Sequence, residues 1–282
     1  MSDPFKITGP TCLSFSGGRT SAYMLWLTLQ ANTPEDIERW LVVLFENTGK
    51  EEEATLRFVR ECGRRWACKI IWLEYRLGSQ FEVVDFDTAS RNGEPFRKLL
   101  EVKRDYRAIA KGEPAVLPNV AQRFCSAELK ARSMQRWFEL LFGVKYTTAI
   151  GIRADEPERV RKTMAYETRD RKYRLPLNDV GITEEDVLDF WGNEKFDLEL
   201  RNDPELGTYE GNCVGCFLKK KSKIARLAQE QPKQIEWFAR AEEEFGQTFR
   251  QDRPTYRQYL NGRIELATTN DEDDLVACSC TD

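Results

Sequence analysis

The sequence predicts an α/β protein with a doubly wound, mostly parallel sheet over residues 1–180. A smaller, mainly helical part carrying a C-x-x-C pair and a cysteine-containing tail is expected over 181–282. Three observations predict this division. Short apolar runs of the kind that form buried parallel strands begin at Thr11, Trp40, Lys69 and Tyr146, with helical stretches between them. Each run ends in a glycine-containing or charged loop, which is where open α/β sheets bind ligands. Beyond Leu177 such runs stop, and helix signals take over.

The first run, T-C-L-S-F, breaks at Ser16-Gly17-Gly18-Arg19-Thr20-Ser21 and continues as an apolar helix through Trp26. Strand, glycine turn and helix together make an anion pocket. Adjacent glycines let the backbone bring its N–H groups close to a ligand, and the helix start adds unpaired N–H groups and the positive end of its dipole. Ser16, Thr20 and Ser21 add hydroxyls, and Arg19 adds a forked cation suited to phosphate oxygens. The bland alternative is an ordinary strand-to-helix turn. The loop is not the G-x-x-x-x-G-K-[ST] phosphate loop, because no Lys-Ser or Lys-Thr pair follows the glycines.

Further along, Pro34-Glu35-Asp36 reads as a turn, and Trp40 to Phe45 as the second strand. It runs into Asn47-Thr48-Gly49-Lys50-Glu51, then a helix to about Trp66 and a third strand, Lys69 to Glu74. Residues 76–122 read as a long, partly helical excursion. A helix over roughly Ser126 to Phe142 precedes the fourth strand, Tyr146 to Ile152, which ends at Arg153-Ala154-Asp155-Glu156. Thr183-Glu184-Glu185-Asp186 is a helix start with an N-cap threonine and an acidic first turn. Two more helices are expected near 219–230 and 232–245.

Composition narrows the chemistry. Apolar residues make up 41% of the 282 and charged residues 32%, with a net charge of −4, so the chain as a whole is no polycation. Basic residues cluster locally at 97–111 and 153–174, which suits a polyanionic ligand or simply a solvated face. Histidine is absent, which removes Ser-His and Cys-His nucleophile pairs and every histidine metal site. No apolar run reaches the ~18 residues that span a bilayer, and no secretory start is present. A cytoplasmic protein without membrane contact is therefore expected. Eight cysteines then point to metal or thiol chemistry rather than disulfides. Cys12, Cys62 and Cys68 sit in or beside predicted core elements and read as buried thiols.

Several stretches together resemble a known family. S-G-G-R-T-S at 16–21 is similar to the loop of the PP-loop ATP pyrophosphatases, and N-T-G-K-E at 47–51 to the N-T-G-x-E of the phosphoadenosine phosphosulfate (PAPS) reductase family. Arg123-Phe124-Cys125 through Leu129-Lys130 resembles that family's R-x-C-x-x-x-L-K stretch. Gly151 to Glu156 resembles its G-I-R-x-D-E loop, and Leu175-Pro176-Leu177 with Asp186 to Trp191 its P-L … D-V-x-x-F-W segment. The matches run in order from residue 11 to about 220.

The resemblance implies an adenine-nucleotide α-hydrolase-like fold that binds ATP with Mg²⁺ through residues 16–21, 47–51 and Gly151. Arg153, Lys130, Asp155 and Arg159 are the implied catalytic groups. Arg153 would neutralise charge on a phosphoryl or sulfuryl group in flight, and Asp155 would orient Arg153 or hold Mg²⁺. Surface ion pairing is the competing account of Arg159 and Lys130.

Cys213-Val214-Gly215-Cys216, 88 positions after Cys125, resembles in its spacing the cluster-bearing adenylylsulfate reductases. With Cys125 it implies a 4Fe–4S cluster lacking one protein ligand, with a structural zinc site as the alternative. Cys278 or Cys280 would supply the missing sulfur, or a tail cysteine would act as nucleophile. An external sulfur species could instead fill the open iron. Lys219-Lys220-Lys221-Ser222-Lys223 is either a solvated face or a contact for a nucleic-acid backbone.

The expected function is ATP-dependent adenylylation with pyrophosphate release, supporting sulfur transfer to a nucleotide, DNA or RNA. It needs a sulfur donor or thiol reductant and leaves room for a homo-oligomer. Two alternatives stand beside it: a PAPS or adenylylsulfate reductase forming sulfite, and a non-catalytic nucleotide-binding regulator.

Overall fold

In a computed structural model the described residues are 3–78, 81–143, 145–167, 172–211 and 213–262. The chain opens with β1 (Thr11–Ser14), α1 (Arg19–Ala31), α2 (Pro34–Trp40), β2 (Leu41–Asn47), α3 (Glu53–Arg65) and β3 (Ile70–Glu74). Where a turn is expected at Pro34, the structure has α2. Thr33 caps it by accepting the Asp36 N–H, and proline sits in its first turn, so the strand starts only at Leu41.

The excursion after β3 holds β4 (Glu82–Val84) and the long α4 (Glu94–Lys111). The helix expected over 126–142 starts at Phe124 as α5 (Phe124–Ser126), widens to π-helical geometry over Ala127–Arg132, and resumes as α6 (Ser133–Phe142). Then come β5 (Thr147–Ile150), α7 (Pro157–Met164), β6 (Lys172–Arg174), α8 (Pro176–Asp179) and α9 (Glu184–Asn193). A small hairpin, β7 (Asn202–Asp203) and β8 (Gly207–Thr208), leads to α10 (Lys221–Glu230), α11 (Pro232–Phe245) and α12 (Tyr256–Leu260).

The main sheet has strand order β4-β3-β2-β1-β5-β6, and every pairing is parallel except β3 with β4. From β1 the chain winds outward through β2 and β3, then returns to β1's other side at β5. The order reverses there, so the loops after β1 and β5 meet at the carboxyl edge, where a doubly wound sheet leaves its crevice.

Helices cover both faces of the sheet. Phe15, Met24, Leu25, Phe45, Leu56 and Val59 fill one side, joined by Val187 and Trp191 of α9. Cys12, Leu44 and Leu73 meet Met134, Trp137 and Phe138 of α6 on the other. A third apolar cluster joins Phe96, Leu99 and Leu100 of α4 to Phe217, Phe238, Phe249 and Tyr256, so the excursion helix packs with the C-terminal helices. Among the described residues no helix is long and apolar enough to cross a membrane.

Candidate functional site

The loop after β1 is held by its own small residues. Gly17 has φ +85°, and a Cβ there would lie 2.7 Å from Thr55 Cγ2, so no other residue fits. The Ser16 and Ser21 hydroxyls are 2.9 Å apart, Ser16 N–H donates to Ser21 Oγ, and Ser21 Oγ donates to the Gly18 carbonyl. These hydroxyls brace the loop. Gly18 opens α1 without a side-chain cap, so the first-turn N–H groups lack acceptors within the helix. Gly151 after β5 packs directly on this turn, where a Cβ would be 3.2 Å from Ser21 Cα.

Residues 16–20 line a cleft of about 860 Å³, together with Arg153, Glu184, Leu188, Trp191 and Cys216 among others. Arg153 is only 8% exposed. Its Nε donates to Asp155 Oδ1 at 3.0 Å, one terminal nitrogen donates to Thr20 Oγ1 at 3.3 Å, and the other lies 3.6 Å from Glu184. Partial burial raises the Asp155 carboxyl, but the Glu184 N–H and the Arg153 guanidinium outweigh it and hold the group below the usual carboxylate range. Asp155 thus orients Arg153. Arg159 is outside the cleft wall, ion-paired to Glu156, whose other oxygen accepts the Arg153 N–H at 3.1 Å.

The Arg19 fork is engaged by other residues of the cleft wall. It makes paired bonds of 2.7 and 2.8 Å to Asp197 and a third to the Leu198 carbonyl. Asp197, Glu184 and Trp191 were not foreseen as cleft residues. Trp191 carried a local signal in the D-V-x-x-F-W segment, and Glu184 in the helix start at Thr183, where the capping box with Asp186 forms as expected.

Residues 47–51 are buried and do not line that cleft. Asn47 Nδ2 donates to the fully buried Glu74 at 2.6 Å and to the Ser90 carbonyl. The Glu51 carboxylate accepts the Thr48 N–H, the Thr48 hydroxyl and the Lys50 N–H. Lys50, 2% exposed, donates to Gln234 and lies over the Trp237 and Phe238 rings; burial pushes its amine down to about 8. Gly49 turns at φ +78° against Gly93.

This loop is a socket for the C-x-x-C segment. Glu51 pairs with Cys213 as an antiparallel bridge, and the Val214 N–H donates to the Lys50 carbonyl at 2.8 Å. On the other side, a Cβ at Gly215 would lie 2.4 Å from the Phe238 ring, and the Gly215 carbonyl accepts the Tyr256 hydroxyl at 2.6 Å.

Cys125, Cys213 and Cys216 line a second, tighter cavity of about 40 Å³ with Thr48, Arg123 and Lys130. Cys216 and Leu218 belong to the walls of both cavities. Burial, reinforced by Glu51, pushes the Cys213 thiol up to about 12, so a cationic centre would be needed to hold it as thiolate. Among the described residues no three His, Cys, Asp or Glu side chains are grouped closely enough to hold one metal ion. Cys12 and Cys62 are buried, and burial raises both thiols and Cys68 as well. Cys278 and Cys280 lie outside the described residues.

Comparison with known proteins identifies the family. The family model of the phosphoadenosine phosphosulfate reductase domain matches residues 10–198, about two thirds of the chain. The chain belongs to that family. It is also 31% identical over 230 residues to the nin region protein ORF290 of Escherichia phage lambda, covering 78% of this chain and 69% of the relative. Two solved structures share a more distant likeness at 13% identity. A PAPS reductase from Candida auris, in a phosphate complex, has TM-score 0.40 over 66% of this chain and 72% of that one. The U34-tRNA thiolase NcsA from Methanococcus maripaludis, with its 4Fe–4S cluster, has TM-score 0.35 over 93% and 72%.

Proposed function

We propose that the chain is a PP-loop enzyme that binds ATP with Mg²⁺ in the cleft beside residues 16–21 and adenylylates an acceptor. In that step an acceptor heteroatom bonds to the α-phosphorus, the bond to the bridging oxygen breaks, and pyrophosphate leaves. Backbone N–H groups at the start of α1 hold the pyrophosphate end. Arg153, fixed by Asp155 and Thr20, meets the negative charge that builds as the phosphoryl group transfers. Arg159 supports this through Glu156. A sulfide-level sulfur donor then attacks the activated atom of the acceptor, a nucleotide or nucleic acid, the bond to the adenylyl oxygen breaks, and AMP leaves.

The observation that carries this reading is Cys216, which lines the nucleotide cleft and the cysteine cavity at once. Cys125, Cys213 and Cys216 share one cavity wall, and a cluster held by cysteine sulfurs draws on such a set. Cys125, Cys213 and Cys216 would hold it, with Lys130 and Arg123 offsetting its negative charge. Bound there, a 4Fe–4S cluster would supply an iron able to carry sulfur or electrons beside the activated substrate.

Protein purified without oxygen should be brown, carry about four irons per chain, and lose both in the Cys213→Ser, Cys216→Ser double variant. Colourless, iron-free protein would remove the cluster from the reading. Calorimetry with ATP tests the other half, since absence of ATP binding would end it. The family match favours one second reading, reduction of PAPS or adenylylsulfate with a thiol reductant, recognised by sulfite production without ATP consumption.

A further inference from the structure

The cleft has more cationic wall than one ATP needs. One cationic part is the loop after β1 with Arg153; another is built by the β7–β8 hairpin and the start of α10, where Lys219, Lys220 and Lys223 line the same cavity. These lysines are half-buried, unlike a solvated run. Lys219 donates to the Tyr209 and Gly211 carbonyls at 3.1 and 2.8 Å, and Lys223 donates to the Thr208 carbonyl at 2.6 Å. Carbonyl acceptors fix the positions of the Lys219 and Lys223 ammonium groups, with Glu210 in the same cleft wall and Lys220 beside them. Leu198, Leu200 and Leu218 line the same cleft and give an apolar surface for bases, and Cys216 is in its wall.

We infer that this second cationic wall is the acceptor subsite, and that it takes the phosphate backbone of a single-stranded nucleic acid. This rests on the reading of the cleft as an ATP site. Point charges fixed at the start of α10 contact phosphates without selecting sequence, while an open cleft admits an unpaired base that a duplex would keep stacked. The base would then reach both the ATP end and the Cys216 wall. The hairpin sets how far the strand enters.

The test measures fluorescence anisotropy of labelled single-stranded 12-mers, one DNA and one RNA, on the full chain with a non-hydrolysable ATP analogue present. Adenosine 3′,5′-bisphosphate serves as competitor, and calorimetry gives ATP affinity separately. Lys220→Glu and Lys223→Gln should each weaken oligonucleotide binding about tenfold at moderate salt and flatten its salt dependence, with ATP affinity unchanged. Arg153→Ala should leave oligonucleotide binding close to wild type. The DNA and RNA arms identify which strand is held. Wild-type protein that ignores both oligonucleotides overturns the inference, as does equal binding by wild type and both lysine variants. Capture of the bisphosphate alone also overturns it, in favour of a free-nucleotide substrate. Loss of ATP binding with oligonucleotide binding intact would instead strike the ATP reading.

Discussion

The hydroxyl of Thr48 lies 3.3 Å from Cys213 Sγ, across 165 residues of chain. The same hydroxyl donates to both oxygens of Glu51, so one side chain ties the loop after β2 to the cysteine segment. Thr48→Val keeps the shape and removes these bonds. It should cost about 1–2 kcal/mol of stability and lower the iron retained per chain, read by thermal melting and metal analysis. Full iron content in this variant would show that the Thr48 contact does not position Cys213.

Arg153→Ala should slow pyrophosphate release about 10²–10³-fold, the usual cost of removing one preorganised donor from a developing charge. Arg153→Lys should recover little, because a single ammonium cannot reach Asp155 and Thr20 as the guanidinium fork does. The readout is coupled pyrophosphate detection on protein with an unchanged melting temperature.

Arg19 is ion-paired to Asp197 in the cleft wall. Because the carboxylate is 41% exposed, the pair is worth at most ~1 kcal/mol. Asp197→Asn should therefore tighten ATP binding by up to about fivefold, as Arg19 becomes available to phosphate oxygens. Calorimetry decides this. Weaker binding would mean that the Asp197 anchor is needed to shape the loop.

Glu242 on α11 accepts the Phe249 and Tyr256 N–H groups, yet burial still raises its carboxyl above the ordinary value. A raised folded-state value contributes stability that is complete below the unfolded value and is lost as pH rises through the folded one. This group therefore favours the folded chain more at pH 5 than at pH 7. Glu242→Gln should flatten that part of the pH dependence in urea melts. It should also cost about 1–3 kcal/mol, since the amide nitrogen faces one of the two donors.

Much of the site was legible because its signals are local. S-G-G-R-T-S sits where strand-to-helix geometry is written in consecutive residues, and Thr183 with Asp186 forms its capping box within four positions. The central strands read from their apolar runs. The edge strands β4 and β6 did not, since three residues rich in charge, such as Lys172–Arg174, carry no period to detect. Nor did the destination of N-T-G-K-E. Its partners Glu74, Gln234 and Cys213 are 27 to 184 positions away, and only packing brings them together. Arg19 is the same case: its chemistry suits phosphate, and a carboxylate 178 residues away claims it.

Gly215 gives the C-x-x-C segment a property that neither cysteine has. With Phe238 against the glycine and Tyr256 on its carbonyl, the segment cannot swing outward unless α11 and α12 lift with it. Opening of the cysteine loop and undocking of the helices form one cooperative unit. Hydrogen exchange at the Val214 amide should then keep pace with the interior amides of α11, and the thiols should become reactive in a single step rather than one at a time.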